Sequence, residues 1–222
     1  MISQRLSRRL VRHHLPIALI SVAAAAILYV TRPYPDVITR LSFATAYPAL
    51  ALMGLTLIIG PWRMLCKLSV QSSMDFRRDI GIWAGIFGVF HAVVGNFEHL
   101  RGRPWLYYIY DNWQEKHSQP FRYDLFGIAN DTGLFAALIL LALLATSNDA
   151  ALRKLRTPGW KKLQRWNYFC FGLTAIHTVL YSVGIKSISV PWFMLAVAAI
   201  LITLTFQIIG YRRRRQELAL AD

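Results

Sequence analysis

A chain of 222 residues with 55% hydrophobic and 16% charged residues, and a mean hydropathy of +0.38, is too apolar for an ordinary soluble domain, where about a quarter of residues are charged. The formal net charge of +14 would point to nucleic acid in a soluble protein, but here the basic residues stand in short clusters between long uncharged runs, where they set membrane orientation instead. The two cysteines, Cys66 and Cys170, form neither a disulfide framework nor a covalent cofactor-attachment motif, and read as inert apolar fillers.

A transmembrane helix needs about 20 mostly apolar residues. Six stretches qualify: 15–31, 41–62, 80–97, 125–146, 166–185 and 188–210. The first is preceded by Arg5, Arg8, Arg9 and Arg12. Ser7-Arg8-Arg9 resembles a twin-arginine export signal, with Ala23 to Ala26 as its cleavage region, but five further spans already demand insertion, so it reads as the basic anchor of an uncleaved helix. Arg63, Lys67, Arg77 and Arg78 lie between the second and third spans, six basic residues from Arg153 to Arg165 between the fourth and fifth, and Arg212 to Arg215 after the sixth. These clusters share one side of the membrane and hold 18 of the 25 basic residues. Arg32, Arg40, Arg101, Arg103, Lys116, Arg122 and Lys186 fall on the other. The positive-inside rule then puts both termini in the cytoplasm. The expectation is an all-α integral membrane bundle of six transmembrane helices, a single domain over 1–222, multi-pass in a bacterial inner membrane and in contact with its lipid.

The loop 98–124 is the long one on the outer side and carries Trp105, Tyr107, Tyr108, Tyr110, Trp113, Phe121 and Tyr123. Pro104 suits the first residue of a short helix, and the aromatic rings suit headgroup depth. The sharper reading is a docking surface for an outer partner or a larger membrane complex.

Intramembrane ionisable groups are costly and functional by default. His91 lies about eleven residues into the third span and His177 about eleven into the fifth, roughly 17 Å from the inner edge at 1.5 Å per residue. Both spans start at the same face, so the two imidazoles reach similar depth and suit the two axial ligands of one haem iron. Ala84, Gly88 and Gly95 share a helical face with His91, and Gly184 sits two turns beyond His177, so a flat macrocycle can approach the backbone. The same small residues would also serve plain helix packing. A copper or zinc site would need ligands that no Cys, Met or carboxylate obviously supplies. His13, His14, His99 and His117 fall in the amino-terminal tail or loops and read as solvated. Asp131, beside Asn130, Thr132 and Gly133, reads as a packing residue, with proton transfer or quinol contact as alternatives.

Residues 79–185 resemble the ferric-reductase-like transmembrane superfamily, and within it the MsrQ (YedZ) haem subunits of bacterial periplasmic methionine sulfoxide repair. The likeness rests on Gly81-Ile82-Trp83-Ala84 leading to His91, on Thr146-Ser147-Asn148, and on Trp160-Lys161-Lys162-Leu163-Gln164-Arg165 followed by His177. It implies haem b and electrons leaving toward a periplasmic acceptor. The superfamily often carries a second, inner histidine pair; the matching positions here are Gln164 and Arg78, which implies one haem b with bis-histidine ligation. Arg101, Arg103 and Lys186 are candidate partners for its propionates.

No GxGxxG follows a strand, so no flavin or nicotinamide domain is expected, and no residue is assigned a catalytic role. The expected function is a membrane electron-transfer protein whose donor is a quinol or a separate reductase. The alternatives are an accessory subunit of a larger membrane complex, or a small proton-coupled transporter using His91, His177 and Asp131.

Overall fold

The computed structural model describes residues 7–32, 34–66, 71–100, 102–185 and 190–220, with backbone alone for 71–74. All six expected spans are helices long and apolar enough to cross a membrane, and the described residues form no strand, only an isolated bridge between Ile109 and Phe121. The spanning helices are α1 (Leu15–Thr31, entered through a π-helical turn Leu10–His14), α2 (Val37–Leu65), α3 (Gln71–Gly95), α5 (Leu125–Ala145), α7 (Trp166–Leu180, leaving through a second π turn Tyr181–Ile185) and α8 (Val190–Ala219). Between them lie the single-turn α4 (Trp113–Lys116) and the polar α6 (Asp149–Gln164).

Helix starts follow their capping residues. Asp36 accepts the Thr39 N–H at 2.9 Å to open α2, Asp124 accepts the Gly127 N–H at 2.8 Å to open α5, and Asn148 accepts the Ala151 N–H at 2.8 Å to open α6. α2 runs through Pro48 and Pro61, which a spanning helix tolerates when neighbouring helices satisfy the freed carbonyls. Gln207 of α8 does this for the Leu57 carbonyl, donating at 2.6 Å.

α2 is the central helix: 61% of its most apolar stretch is buried inside the protein, against 17–28% for the others, whose remaining apolar surface is left for lipid. Its Leu50, Met53 and Leu57 meet Ala84 and Phe87 of α3, Ala136 and Leu140 of α5, Cys170 and Phe171 of α7, and Ala196 and Ile200 of α8. Cys170 is fully buried, as its filler role requires, and Cys66 is exposed at the end of α2.

α6 has no counterpart among the expected elements. Arg156 adopts φ 54°, ψ 165° just before Pro158, so two short helical pieces meet at a kink. Trp160 Nε1 donates to the Thr146 carbonyl at 3.0 Å, folding α6 back against the end of α5. Arg78 Nη1 bonds Asp149 at 2.8 Å, tying the same segment to α3.

His13 and His14, expected in a solvated tail, are drawn onto the bundle. The π turn brings Arg9, His13 and His14 to one side of the helix, where all three contact the carboxylate of Asp79, whose side chain is completely buried. His13 Nδ1 lies 2.8 Å and His14 Nε2 3.2 Å from the Asp79 oxygens. A buried carboxylate needs that many donors, and their demand overrides the tail's exposure.

At the opposite end, hereafter the loop end, residues 104–124 form a folded cap. Pro104 is the first residue of a short helix, the 3-10 turn Pro104–Tyr107. Tyr107 is buried beneath it and accepts the His99 N–H at 2.6 Å, and Tyr108 donates to Asn96 Oδ1 at 2.9 Å. Burial raises both phenols above their ordinary pKa. Arg122 pairs with Asp124 while its guanidinium lies 4.9 Å over the rings of Tyr110 and Phe126. Burial works to raise the Asp124 carboxyl, but the Arg122 and Gly127 hydrogen bonds hold it below the usual carboxylate range. Trp105, Phe121 and Tyr123 stay exposed, as rings at headgroup depth would be.

Candidate functional site

The two histidines singled out by depth meet. The rings of His91 on α3 and His177 on α7 have centroids 6.2 Å apart and planes at 75°. Each is oriented by a carbonyl of a neighbouring helix: His91 Nδ1 lies 2.9 Å from the Ser42 carbonyl of α2, and His177 Nδ1 lies 2.7 Å from the Ala129 carbonyl of α5. A carbonyl only accepts, so Nδ1 carries the proton in both rings, and a neutral ring so bonded has its lone pair on Nε2. Each carbonyl thus fixes both the tautomer and the orientation of its ring. Thr45 and Thr132 hydroxyls donate to the same two carbonyls, at 3.2 and 2.8 Å.

The spacing has chemical meaning. Two imidazoles on opposite sides of one metal ion, each at a bond length of about 2 Å, would have ring centres about 6 Å apart. Among the described residues no group of three or more His, Cys, Asp or Glu forms a metal-binding cluster.

The histidines open into a cavity of about 170 Å³, far more than the ~10–15 Å³ that one water requires. Gly88 and Gly95 lie on its wall. Gly88 also lets the Leu140 side chain of α5 approach, where a Cβ would collide with it. Ala84 and Gly184 lie elsewhere. Ala84 is buried in the interhelical core, and Gly184 packs on Leu125, whose side chain occupies the place a Cβ would take. Arg103 pairs with Asp111 at 3.3 Å on the exposed cap, while Arg101 and Lys186 fall outside the described residues.

Two residues passed over in the sequence belong to the wall. Gly133 of α5 faces His177: a Cβ there would stand 2.6 Å from Nδ1 and 2.7 Å from Cε1. Its absence lets the imidazole settle against α5 and reach Ala129. The spacing Ala129, Gly133, Ala136, Ala137, Leu140 marks this small-residue face in the sequence. Asn130 is the other: it accepts the Tyr181 hydroxyl at 2.6 Å, and Tyr181 lies 4.8 Å from the His177 ring. Asp131 is half-buried and off the wall.

The remaining histidines stand apart. His99 is exposed and stacks near Tyr181 (6.3 Å, 17°), and His117 stacks on Tyr110 (3.5 Å, 7°). At the level nearer the termini, Arg78 is engaged with Asp149 and Asp75, and Gln164 ends α6. That level is an ion-pair junction rather than a second imidazole pair.

The family described as "Ferric reductase like transmembrane component" matches residues 45–175, which include both histidines' carrier segments up to two residues short of His177. The magnetosome protein MamZ of Magnetospirillum gryphiswaldense is 28% identical over 111 residues, which is 50% of this chain and 15% of that protein. The chain therefore spans a small part of the length of this relative.

Proposed function

The chain belongs to the family of ferric reductase-like transmembrane components, and from that premise we propose that it is a membrane electron-transfer subunit carrying one haem b between His91 and His177. The single observation that supports the reading is the imidazole pair, 6.2 Å apart, each ring with its Nδ1 at a backbone carbonyl and its lone pair directed to Nε2. When bound, the haem supplies a one-electron couple.

The chain's residues do the rest. Ser42 and Ala129 carbonyls fix the rings and raise their basicity, which stabilises the oxidised state of a ligated metal. Gly133 and Gly88 let α5 pack close beside His177 and α3, and the cavity wall is mainly apolar, so charge changes there are strongly felt. His91 and His177 would together hold the iron, leaving it to supply electron transfer rather than chemistry at the metal. In this reading the clustered basic end faces the cytoplasm and the cap faces the periplasm, where an acceptor docks, as in the MsrQ-type subunits the sequence resembles. The donor is a membrane quinol or a separate reductase. Arg78 cannot ligate iron because its guanidinium stays protonated, and Gln164 is a poor ligand, so the stoichiometry is one haem per chain.

The test is the visible spectrum of the purified protein with pyridine haemochrome analysis against protein mass. A sharp reduced b-type band and a ratio near one are expected. A ratio near two would overturn the single site, and no band at all would favour an accessory or transport role. Reduction by a quinol analogue should outpace reduction by a flavin reductase with NADH, and the reverse order would make the separate reductase the donor.

Gly133→Ala is a sharper probe of the geometry. Alanine is a good helix former, so α5 persists, yet its Cβ would drive His177 off the Ala129 carbonyl. We expect a low-spin spectrum that weakens or turns high-spin, with stability lowered by only about 1 kcal/mol. An unaltered spectrum would show that His177 is not held where the reading requires.

A further inference from the structure

We propose that Arg32 is an oxyanion-binding residue at the loop end of the bundle, with one edge of its guanidinium taking the carboxylate or phosphate of a bound group. Arg32 follows α1 directly and is only 9% exposed. Its guanidinium is sandwiched between two rings, 4.1 Å from the Phe43 centroid and 3.8 Å from that of Trp192. Aromatic faces stabilise the charge but accept nothing along the N–H bonds. Nε and Nη2 are both buried and have no hydrogen-bond partner among the described residues. These two nitrogens form one side of the guanidinium, the edge whose parallel N–H bonds match the two oxygens of a carboxylate or phosphate. Asp36, a nearby carboxylate in sequence, is turned to the start of α2, where it holds Thr39.

A buried cation with an empty donor edge is costly unless something fills it. The placement suggests what. Phe43 follows Ser42, whose carbonyl holds His91, and both Phe43 and Tyr47 line the cavity. Tyr47 in turn donates to the Trp192 carbonyl at 3.1 Å, fixing the second ring of the sandwich. Arg32 thus stands one aromatic layer behind the cavity wall. On the haem reading proposed above, the nearer source of the oxyanion is a carboxylate of the macrocycle, and a phospholipid headgroup is the other. Both nitrogens are covered, so the ligand enters by moving the Phe43 or Trp192 ring rather than by filling a ready-made hole.

The experiment uses the full chain in detergent and in phospholipid nanodiscs. Wild-type apoprotein, Arg32→Gln and Arg32→Lys are titrated with haem b and with its dimethyl ester, and retained phospholipid is read by native mass spectrometry. If the oxyanion is the macrocycle's carboxylate, wild type prefers the free acid by at least about tenfold, Arg32→Gln loses the preference, and Arg32→Lys keeps part of it. If it is a phospholipid, acid and ester bind alike, and wild type retains a lipid that Arg32→Gln releases. Equal binding of acid and ester together with equal lipid retention overturns the proposal. The acid-to-ester comparison needs no variant, so a poorly folding Arg32→Gln leaves the test intact. Wild type that takes up neither haem would refute the haem reading, and the lipid arm would still decide on Arg32.

Discussion

Alanine in place of either His91 or His177 is expected to abolish the low-spin absorption of the haem-loaded protein and to stop electron transfer through it. The two rings share one cavity at a centroid separation of 6.2 Å, so the loss of either leaves one axial position to water or to nothing. The loss in bound haem should be near complete for the double variant and partial for each single one, because the remaining imidazole still donates one bond. Each substitution also deletes a hydrogen bond between helices, from His91 to Ser42 or from His177 to Ala129, at a cost to stability of about 1 kcal/mol. That cost is small enough for the variants to be purified folded. Full retention of the spectrum in both single variants would remove the assignment. Added imidazole should restore part of the low-spin band in the singles, since the cavity left by the ring is large enough to admit it.

The second large effect lies far from that pair. Asp79→Ala should lower stability by about 1.5–3 kcal/mol, because it strips the carboxylate from a part-buried Arg9 guanidinium and removes the partner of His13 and His14. Denaturation in mixed micelles measures it. The double variant Arg9→Met with Asp79→Leu should recover most of the loss, since exchanging a buried pair for packed apolar groups is close to neutral whereas leaving one charge unpaired is not. If the single variant is as stable as wild type, the contacts around Asp79 are ornamental, and the first helix is held by packing alone.

The spans were legible because lipid imposes a single strong requirement, a run of apolar residues about 20 long, and the chain meets it six times. α6 was not, because Asp149–Gln164 is polar and broken by Pro158, and nothing in its composition separates a surface helix from a basic loop. The matched depth of the histidine pair was legible in the sequence, but that the two rings face each other depends on Val37–Leu65 and Leu125–Ala145, whose carbonyls orient them. Gly133 and Asn130 were hidden by their neighbour: an ionisable Asp131 draws attention in a membrane, while the contribution of a glycine is a missing atom, visible only once His177 is seen beside it. His13 and His14 were misjudged for a related reason. Their partner, Asp79, is remote in sequence, and only the π turn brings both imidazoles onto it.

The ties at His91 and His177 also set a schedule for making the protein. The bond from His91 to Ser42 joins two consecutive spans and can form as soon as α3 has left the ribosome. The bond from His177 to Ala129 must wait until α7 is laid in the bilayer, roughly 90 residues later, which at about 5–20 residues per second is on the order of 5–20 s. Throughout that interval a nascent chain presents one oriented imidazole and no opposite number. A group held between the two rings would therefore be secured late, after the fifth span is in place, and a chain stalled before that point would be inserted and helical but could hold it through one imidazole at most.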